Sequence, residues 1–422
     1  MIDKYKALFE KTNNTERSSY IWNTIAGLIV SIQSAVMLIL ITRTNGLEDA
    51  GIFSIAFAIS SLMLFIGEFG VKKYQVSDVD EKYSFCDYYT VRVITCAAMI
   101  VASFCYVGYG YLFGNYSLTK FAVLIIVCMT KVIDGYADVF YGRFQQIGRL
   151  DIAAKTSTFR VTLGTTACMI SLVITHNLLI SVIVWFFAIL ITMIASTMVV
   201  APDYCEIKIK SSIKNIQGII KAYIPLFLGY FLLLYVGNAP KYAIDSFMNE
   251  VAQAQFNFIF MPVFVIGMLA NFVFNPILVR LAEAWNSREY HFFNRIIFKQ
   301  VAVIGVITLL AIVGGYLVGC WLIGWLYNTD LMSFRIEMCI LLLGGGMLAF
   351  VNFFAVIITV IRCQRYLTWG YVFVAVIAKL FSGYFVETNG ITGASVLYTG
   401  LMTLLSMVFA AELIICVKKR MK

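Results

Sequence analysis

About twelve apolar stretches, each roughly 18–25 residues long, run through this chain, and positive charge gathers in every second connection between them. The connection around Gly46 to Ala50 holds no Lys or Arg, while the next carries Lys72, Lys73 and Lys82. Asn115 to Ser117 is uncharged, and the connection after it carries Arg143, Arg149 and Lys155. The alternation continues to Lys418, Lys419, Arg420 and Lys422. Hydrocarbon gives backbone groups no water to bond to, so spans of this length must be helices. Sorted charge of this kind sets an orientation, with both termini on the basic, cytoplasmic side. The expected fold class is therefore an all-α polytopic membrane protein.

Composition agrees. Hydrophobic residues make up 61% and charged residues 13% of the chain, against roughly 45–50% and about 25% in soluble proteins. The formal net charge of +9 comes from 32 basic and 23 acidic residues. Most of the basic residues lie in the positive-side loops and tails. Topology and contact with anionic membrane lipids account for them, and no nucleic-acid partner is expected. The polar, mixed-charge start from Met1 to Tyr20 lacks the short apolar core of a cleavable signal, so the first span is expected to remain as a membrane helix. The ten cysteines are scattered with no C-x-x-C pair, and His176 and His291 stand far apart. Neither a metal centre nor a redox role is expected. No phosphate-binding glycine loop or H-E-x-x-H motif is present, so neither a cofactor nor catalytic chemistry is expected.

The spans fall near 20–42, 51–71, 90–113, 119–142, 157–175, 178–200, 222–245, 252–275, 300–324, 337–361, 367–386 and 391–416. They divide into an N-terminal lobe (1–200), a cytoplasmic linker (201–221) and a C-terminal lobe (222–422). In the linker, Lys208, Lys210, Lys214 and Lys221 interleave with Ile207, Ile209, Ile213, Ile216 and Ile219. This reads as an amphipathic helix on the inner leaflet, or else as a basic tether without regular structure. The lobes resemble weak parallel repeats. Phe53, Ile55 and Phe57 fall opposite Phe256, Phe258 and Phe260. Arg143-Phe144-Gln145 falls opposite Arg362-Cys363-Gln364, a register that also sets Arg160 against Lys379 and Gly164 against Gly383. Pro225, Pro240, Pro262 and Pro276 cluster in helices seven and eight. Pro225 and Pro240 mark helix seven as a bent gate or as a static kink.

Charges inside the spans are the sharpest chemical signal. Each costs about 2.5–3.5 kcal/mol at a helix centre. Helix four carries Lys131, Asp134 and Asp138 on one face. Lys131 and Asp134 can neutralise each other. Asp138 is then left over as the better candidate for binding a proton or cation. Lys379 lies deep in helix eleven with no acidic residue within a turn and needs an anion, either a distant carboxylate such as Asp134 or a phosphate of a substrate. Arg160 either serves the same purpose or snorkels to headgroups. Lys241 and Asp245 are spaced for a local salt bridge, and Glu68 stands beside Lys72. Arg43, at the outer end of helix one, could guide an anionic headgroup or anchor the helix. Gly344-Gly345-Gly346 lies in an apolar helix, where small residues favour close packing.

Several segments together carry a family resemblance: Trp22-Asn23-Thr24, Ala50-Gly51-Ile52-Phe53, Phe69-Gly70, Tyr74-Gln75-Val76-Ser77-Asp78, Tyr88, Arg92, Gly142-Arg143-Phe144-Gln145, Gly148-Arg149-Leu150-Asp151, Arg160 and Gly390-Ile391-Thr392-Gly393-Ala394. In this order and spacing the chain resembles the O-antigen-type polysaccharide flippases. These are a branch of the multidrug/oligosaccharidyl-lipid/polysaccharide exporter superfamily. The resemblance implies two six-helix lobes around a central cavity, in a bacterial cytoplasmic (inner) membrane. It implies a lipid-linked oligosaccharide substrate, a sugar oligomer on undecaprenyl pyrophosphate, moved from the inner to the outer leaflet. It assigns anion binding to Arg160 and Lys379, more weakly to Lys131, and cation coupling to Asp138 and Asp134. A polysaccharide polymerase and assembly proteins are the expected partners. The chain lacks about two further helices found in the lipid II flippases and an obvious sodium site of the drug-efflux branch. The rival readings are a small-molecule or drug antiporter on the same fold, a polysaccharide polymerase, and a non-transporting scaffold. A polymerase would keep a large outer loop, and the longest one here, near Leu326 to Arg335, is short.

Overall fold

The computed structural model describes residues 2–78, 80–114, 116–274, 277–361 and 363–421; the side chains of 2, 3, 225, 226, 268–274, 278, 279, 364–366 and 419–421 are outside the description. Pro276 and Arg362 thus lie outside the described residues, as do the side chains of Pro225 and Gln364.

The described chain forms helices joined by short turns. They are α1 (Ile2–Glu10), α2 (Thr15–Asn45), α3 (Leu47–Glu68), α4 (Val71–Ser77), α5 (Phe85–Phe113), α6 (Leu118–Gln146), α7 (Leu150–Thr175) and α8 (Leu178–Met193). There follow α9 (Ile213–Phe247), α10 (Glu250–Phe274), α11 (Leu278–Asn286), α12 (Tyr290–Gly314), α13 (Cys320–Tyr327), α14 (Arg335–Val360) and α15 (Gln364–Met421). Among the described residues, nine helices are long and apolar enough to cross a membrane, and a tenth is if Ile213–Ile224 and Phe227–Phe247 form one span. Helix α6 is missed by that criterion because Lys131, Asp134 and Asp138 punctuate it. Helix α15 counts once although Gly390, at φ 55° and ψ −132°, breaks it into two. With these two corrections the helices coincide with the spans expected from the sequence.

Short caps explain several boundaries. Ser84 and Asp87 form a capping box at the start of α5, and the side chains of Asn14, Ser117 and Asn177 cap α2, α6 and α8. Helix α5 begins at Phe85, five residues ahead of the span expected from hydropathy. That advance sets Arg92 two turns inside the helix.

The chain divides into two compact units, Met1–Phe227 and Leu228–Lys422. In the first, α3 lies in the middle, with 72% of its apolar window buried inside the protein. It packs against α5 and α6, and α7 packs against α2 and α8. In the second, α14 takes the central role, against α10, α12 and α15. Its three consecutive glycines each face a different neighbour. A Cβ on Gly344 would strike Tyr398 at 2.6 Å, one on Gly345 would come within 3.1 Å of Val263, and one on Gly346 would strike Thr308 at 2.3 Å. Without side chains there, α14 approaches three helices at one level, the close packing read from the sequence. Exposed side chains such as Phe113, Leu310, Leu317 and Trp325 cover the outside, as lipid contact requires.

The linker differs from the amphipathic helix expected over 201–221. Residues 204–212 have no regular helix, and α9 starts only at Ile213 and bends by 47° between Ile224 and Phe227 as it enters the seventh span. The cause is visible at Asp87, which accepts hydrogen bonds from Ser211 Oγ and, at 3.1 Å, from Asn215 Nδ2. This pins the segment to the start of α5. Exposed Ile209 and Ile213 remain beside the lysines.

Candidate functional site: paired charges in the first unit, a lone lysine in the second

Helix α6 carries its three charges on the face turned towards α3, α5 and α7, and each finds a partner. Lys131 Nζ lies 2.9 Å from Asp134 Oδ2, and Arg160 of α7 donates from Nη1 to the other oxygen of Asp134. Arg160 Nε also reaches the Tyr141 hydroxyl at 3.4 Å. The Lys131 ammonium stands over the Phe57 ring, 5.0 Å from its centroid. Arg160 is 3% exposed, so it does not snorkel to headgroups.

One turn further along α6, Asp138 is not left over as expected. Its Oδ2 accepts from Arg92 Nη2 at 2.8 Å, and Lys72 Nζ stands 3.4 Å from Oδ1. Arg92 is fully buried, and its Nη1 donates to the Gly67 carbonyl at 2.6 Å. Thr95 donates to the same carbonyl at 2.7 Å. The sequence reading placed Arg92 in the family pattern but not in the site. A basic residue inside an apolar span was the available signal. Lys72 spends itself on Asp138, so Glu68 forms no ion pair among the described residues, contrary to its expected pairing with Lys72.

Several other segments of the family pattern, Tyr74 to Asp78, Tyr88, Gly142 to Gln145 and Gly148 to Asp151, lie at the basic end of the same unit. Asp78 accepts from the Tyr88 hydroxyl at 2.6 Å and from the backbone amides of Lys82 and Tyr83 at 3.0 and 3.1 Å. Burial works to raise its pKa, but these hydrogen bonds outweigh burial and hold the carboxyl below its usual range. Arg143 bonds Glu81 at 2.6 Å, and Gln146 bonds the Asp78 carbonyl at 3.0 Å. Arg149 and Lys155 flank the buried Asp151 and also donate to the carbonyls of Glu10 and Phe9 at the end of α1. The site therefore rests on a scaffold of short, mutually bonded turns.

The second unit is different in kind. Lys379, set opposite Arg160 by the repeat register, is exposed and makes no ion pair or hydrogen bond among the described residues. It borders an open groove of about 340 Å³ lined by Phe231, Leu232 and Tyr235 of α9 and by Val372, Ala375 and Val376 of α15. Lys241 does not bridge to Asp245 as expected. It is buried and stands over the Phe260 ring, 4.7 Å from its centroid. Phe57 and Phe260, opposite each other in the repeat register, thus each lie beneath an ammonium. Pro240 is buried inside α9, and Arg43 is exposed in the last turn of α2. The structure brings Lys131, Asp134, Asp138 and Arg160 together on α6 and α7. It places Arg43, Lys379 and Pro240 on other helices. No group of three or more His, Cys, Asp or Glu side chains suited to a metal occurs among the described residues.

Comparison with known proteins agrees with this architecture. Residues 17–282 match the sequence profile of the family described as "Polysaccharide biosynthesis protein". Among solved structures, an inward-facing multidrug resistance MATE family transporter of the MOP superfamily is similar, with a TM-score of 0.68 at 13% identity over 95% of this chain and 99% of that one. The lipid II flippase MurJ in its inward closed conformation is similar at 0.67 and 12% identity, over 92% of this chain and 86% of that one. A MOP superfamily transporter from Pyrococcus furiosus matches at 0.58 and 13% identity, over 99% of each chain. At such identities the likeness is one of fold. No curated protein matches the chain in sequence.

Proposed function

Because the chain belongs to the polysaccharide biosynthesis protein family, we propose that it is a flippase for lipid-linked oligosaccharide. It would carry undecaprenyl-pyrophosphate-linked repeat units, such as O-antigen units, from the inner to the outer leaflet of a bacterial cytoplasmic membrane, with both termini cytoplasmic. The observation that carries the reading is Lys379. An ammonium on a membrane helix, exposed and without an ion pair among the described residues, needs an anionic cargo to offset its cost. A pyrophosphate crossing hydrocarbon has the converse need for a cation.

The paired charges fit the same cycle. Arg160 and Lys131 are held by Asp134 until a phosphate or acidic sugar competes for them, so cargo entry and proton or cation uptake by the carboxylate are linked through charge balance. Asp134 and Asp138 are the coupling carboxylates, and Glu68, lacking an ion pair, joins them. Alternating access would flex α9, where Pro225 and Pro240 each remove a backbone bond. Arg43 would meet the headgroup at the outer end. Anionic lipids would bind the basic loops, and a polymerase and assembly proteins would take the product.

The test is complementation of a strain lacking this chain. Lys379→Ala should leave lipid-linked oligosaccharide in the inner leaflet and cut surface polysaccharide at least tenfold, and Asp138→Asn should do so in part. Normal surface polysaccharide in the strain lacking the chain would overturn the reading. The fold shared with a multidrug transporter favours one rival, a small-molecule antiporter. That rival predicts lost drug tolerance with normal polysaccharide.

A further inference from the structure

We propose that Cys86 and Cys205 form a reactive dithiol at the basic end of the first unit, which hydrogen peroxide converts to a disulfide that fastens the linker to α5. The site stands independently of the flippase reading. Cys86 is the second residue of α5, and Cys205 lies near the head of the irregular stretch 204–212. The Cys86 thiol donates to the Glu206 carbonyl at 3.5 Å, so the backbone next to Cys205 lies against it. The Cys205 thiol donates to the Ala201 carbonyl at 3.2 Å, and the two sulfurs are near enough to act on each other electrostatically. Both cysteines are partly exposed. Asp87, the next residue of α5, accepts from Ser211 and Asn215. Two consecutive positions of α5 thus receive the linker, one at Glu206 and one at Ser211 and Asn215, through hydrogen bonds that a covalent bond would reinforce. The pairing comes from the fold, since no C-x-x-C spacing links the two thiols.

A thiol reacts as its thiolate, which access and nearby positive charge favour. Lys208 lies within electrostatic reach of Cys86. Arg143, whose Nε donates to the Tyr204 carbonyl at 3.4 Å, lies within reach of Cys205. Burial nevertheless pushes the Cys205 thiol up to about 12, so the first attack falls to Cys86. Its sulfur takes one oxygen of the peroxide, the O–O bond breaks, and the other oxygen leaves as water, giving a sulfenic acid on Cys86. The Cys205 sulfur then attacks the Cys86 sulfur. The S–O bond breaks, the oxygen leaves as a second water with the Cys205 proton, and the S–S bond forms. Two thiols are oxidised by two electrons and one peroxide is reduced to two waters. With this end in the cytoplasm, as proposed above, thiols are kept reduced. The bond would then form only under oxidant and be reversed by glutathione. Cys96, Cys128 and Cys168 are buried within spans, which withholds them from the same reaction.

The experiment treats the full chain in nanodiscs with hydrogen peroxide, blocks the remaining thiols and maps peptides by mass spectrometry without reductant. A peptide pair joined through Cys86 and Cys205 is expected as the main oxidation product, and dithiothreitol should abolish it. Dimedone, which traps sulfenic acid, should label Cys86 about fivefold more in Cys205→Ser than in the unsubstituted chain, because the second thiol no longer consumes the intermediate. Cys105→Ser, which alters an exposed thiol further along α5, should leave the joined pair unchanged. A cross-link between residues so far apart restrains the unfolded chain. Peroxide should therefore raise the thermal midpoint of the unsubstituted chain reversibly and leave that of Cys86→Ser where it was. Oxidation of Cys86 to sulfinic acid without the joined pair would overturn the proposal. So would equal dimedone labelling in the two chains, a midpoint unmoved by the bond, or joined peptides that mixing with isotope-labelled chain shows to arise only between separate copies.

Discussion

Arg92 and Asp138 meet at 2.8 Å inside the first unit, and the same guanidinium holds the Gly67 carbonyl at 2.6 Å. One fully buried side chain thereby ties α5 to α6 and to the last turn of α3. Taking a charge out of water is repaid only when its partners are complete, and removing one partner leaves the other uncompensated. Arg92→Met should therefore destabilise the protein by about 3–5 kcal/mol, seen as a large fall in thermal midpoint in detergent. Arg92→Lys should not restore it, because an ammonium cannot span both acceptors in the same geometry. Adding Asp138→Leu to Arg92→Met should recover part of the loss.

Asp134 serves two cations, so its loss should exceed the loss of either. Asp134→Asn is expected to cost more than Lys131→Met, since it strands both Lys131 and Arg160. A double-variant cycle between Asp134 and Arg160 should give a coupling of about 0.5–3 kcal/mol. Simple additivity in unfolding measurements would contradict the shared ion pair.

Asp78 gives a pH signature at the basic end. Its folded pKa lies below the ordinary value of 3.8 because hydrogen bonds from Tyr88, Tyr83 and Lys82 outweigh burial. A depressed carboxyl contributes stability that is complete above its unfolded value and is lost as pH falls through the folded value. Thermal midpoints should thus drop steeply below about pH 4, and Asp78→Asn should flatten that drop while lowering stability near neutral pH. An unchanged acid limb in the variant would contradict this.

Gly70 combines two constraints. Its φ is +70°, and a Cβ there would come 2.1 Å from Cε1 of Tyr223. Gly70→Ala should cost about 1–3 kcal/mol from backbone strain together with the displaced ring. Pairing it with Tyr223→Ala should remove the collision and leave only the backbone part, which unfolding of the single and double variants would separate.

Much of this was legible in residue order. Runs of apolar residues and sorted loop charge disclosed the helices, because lipid admits few other solutions. The proximity of Lys131 to Asp134 followed from helical spacing. The partners of Asp138 were not legible, since Arg92 and Lys72 reach it from other helices and no local period links them. Lys241 misled for the converse reason. Spacing of four residues permits a bridge to Asp245, yet Phe260 on α10 offers its ring face instead. The start of α9 was misjudged because Asp87, far away in sequence, decides where the linker is fastened.

That fastening has a mechanical consequence. The opening turns of α9 count with the first unit as far as Phe227, while the remainder counts with the second. The contacts of Ser211 and Asn215 with Asp87 hold the base of α9 to the start of α5, and the helix turns by 47° between Ile224 and Phe227. Stiffening or softening a few residues there should tune turnover without touching a charged group.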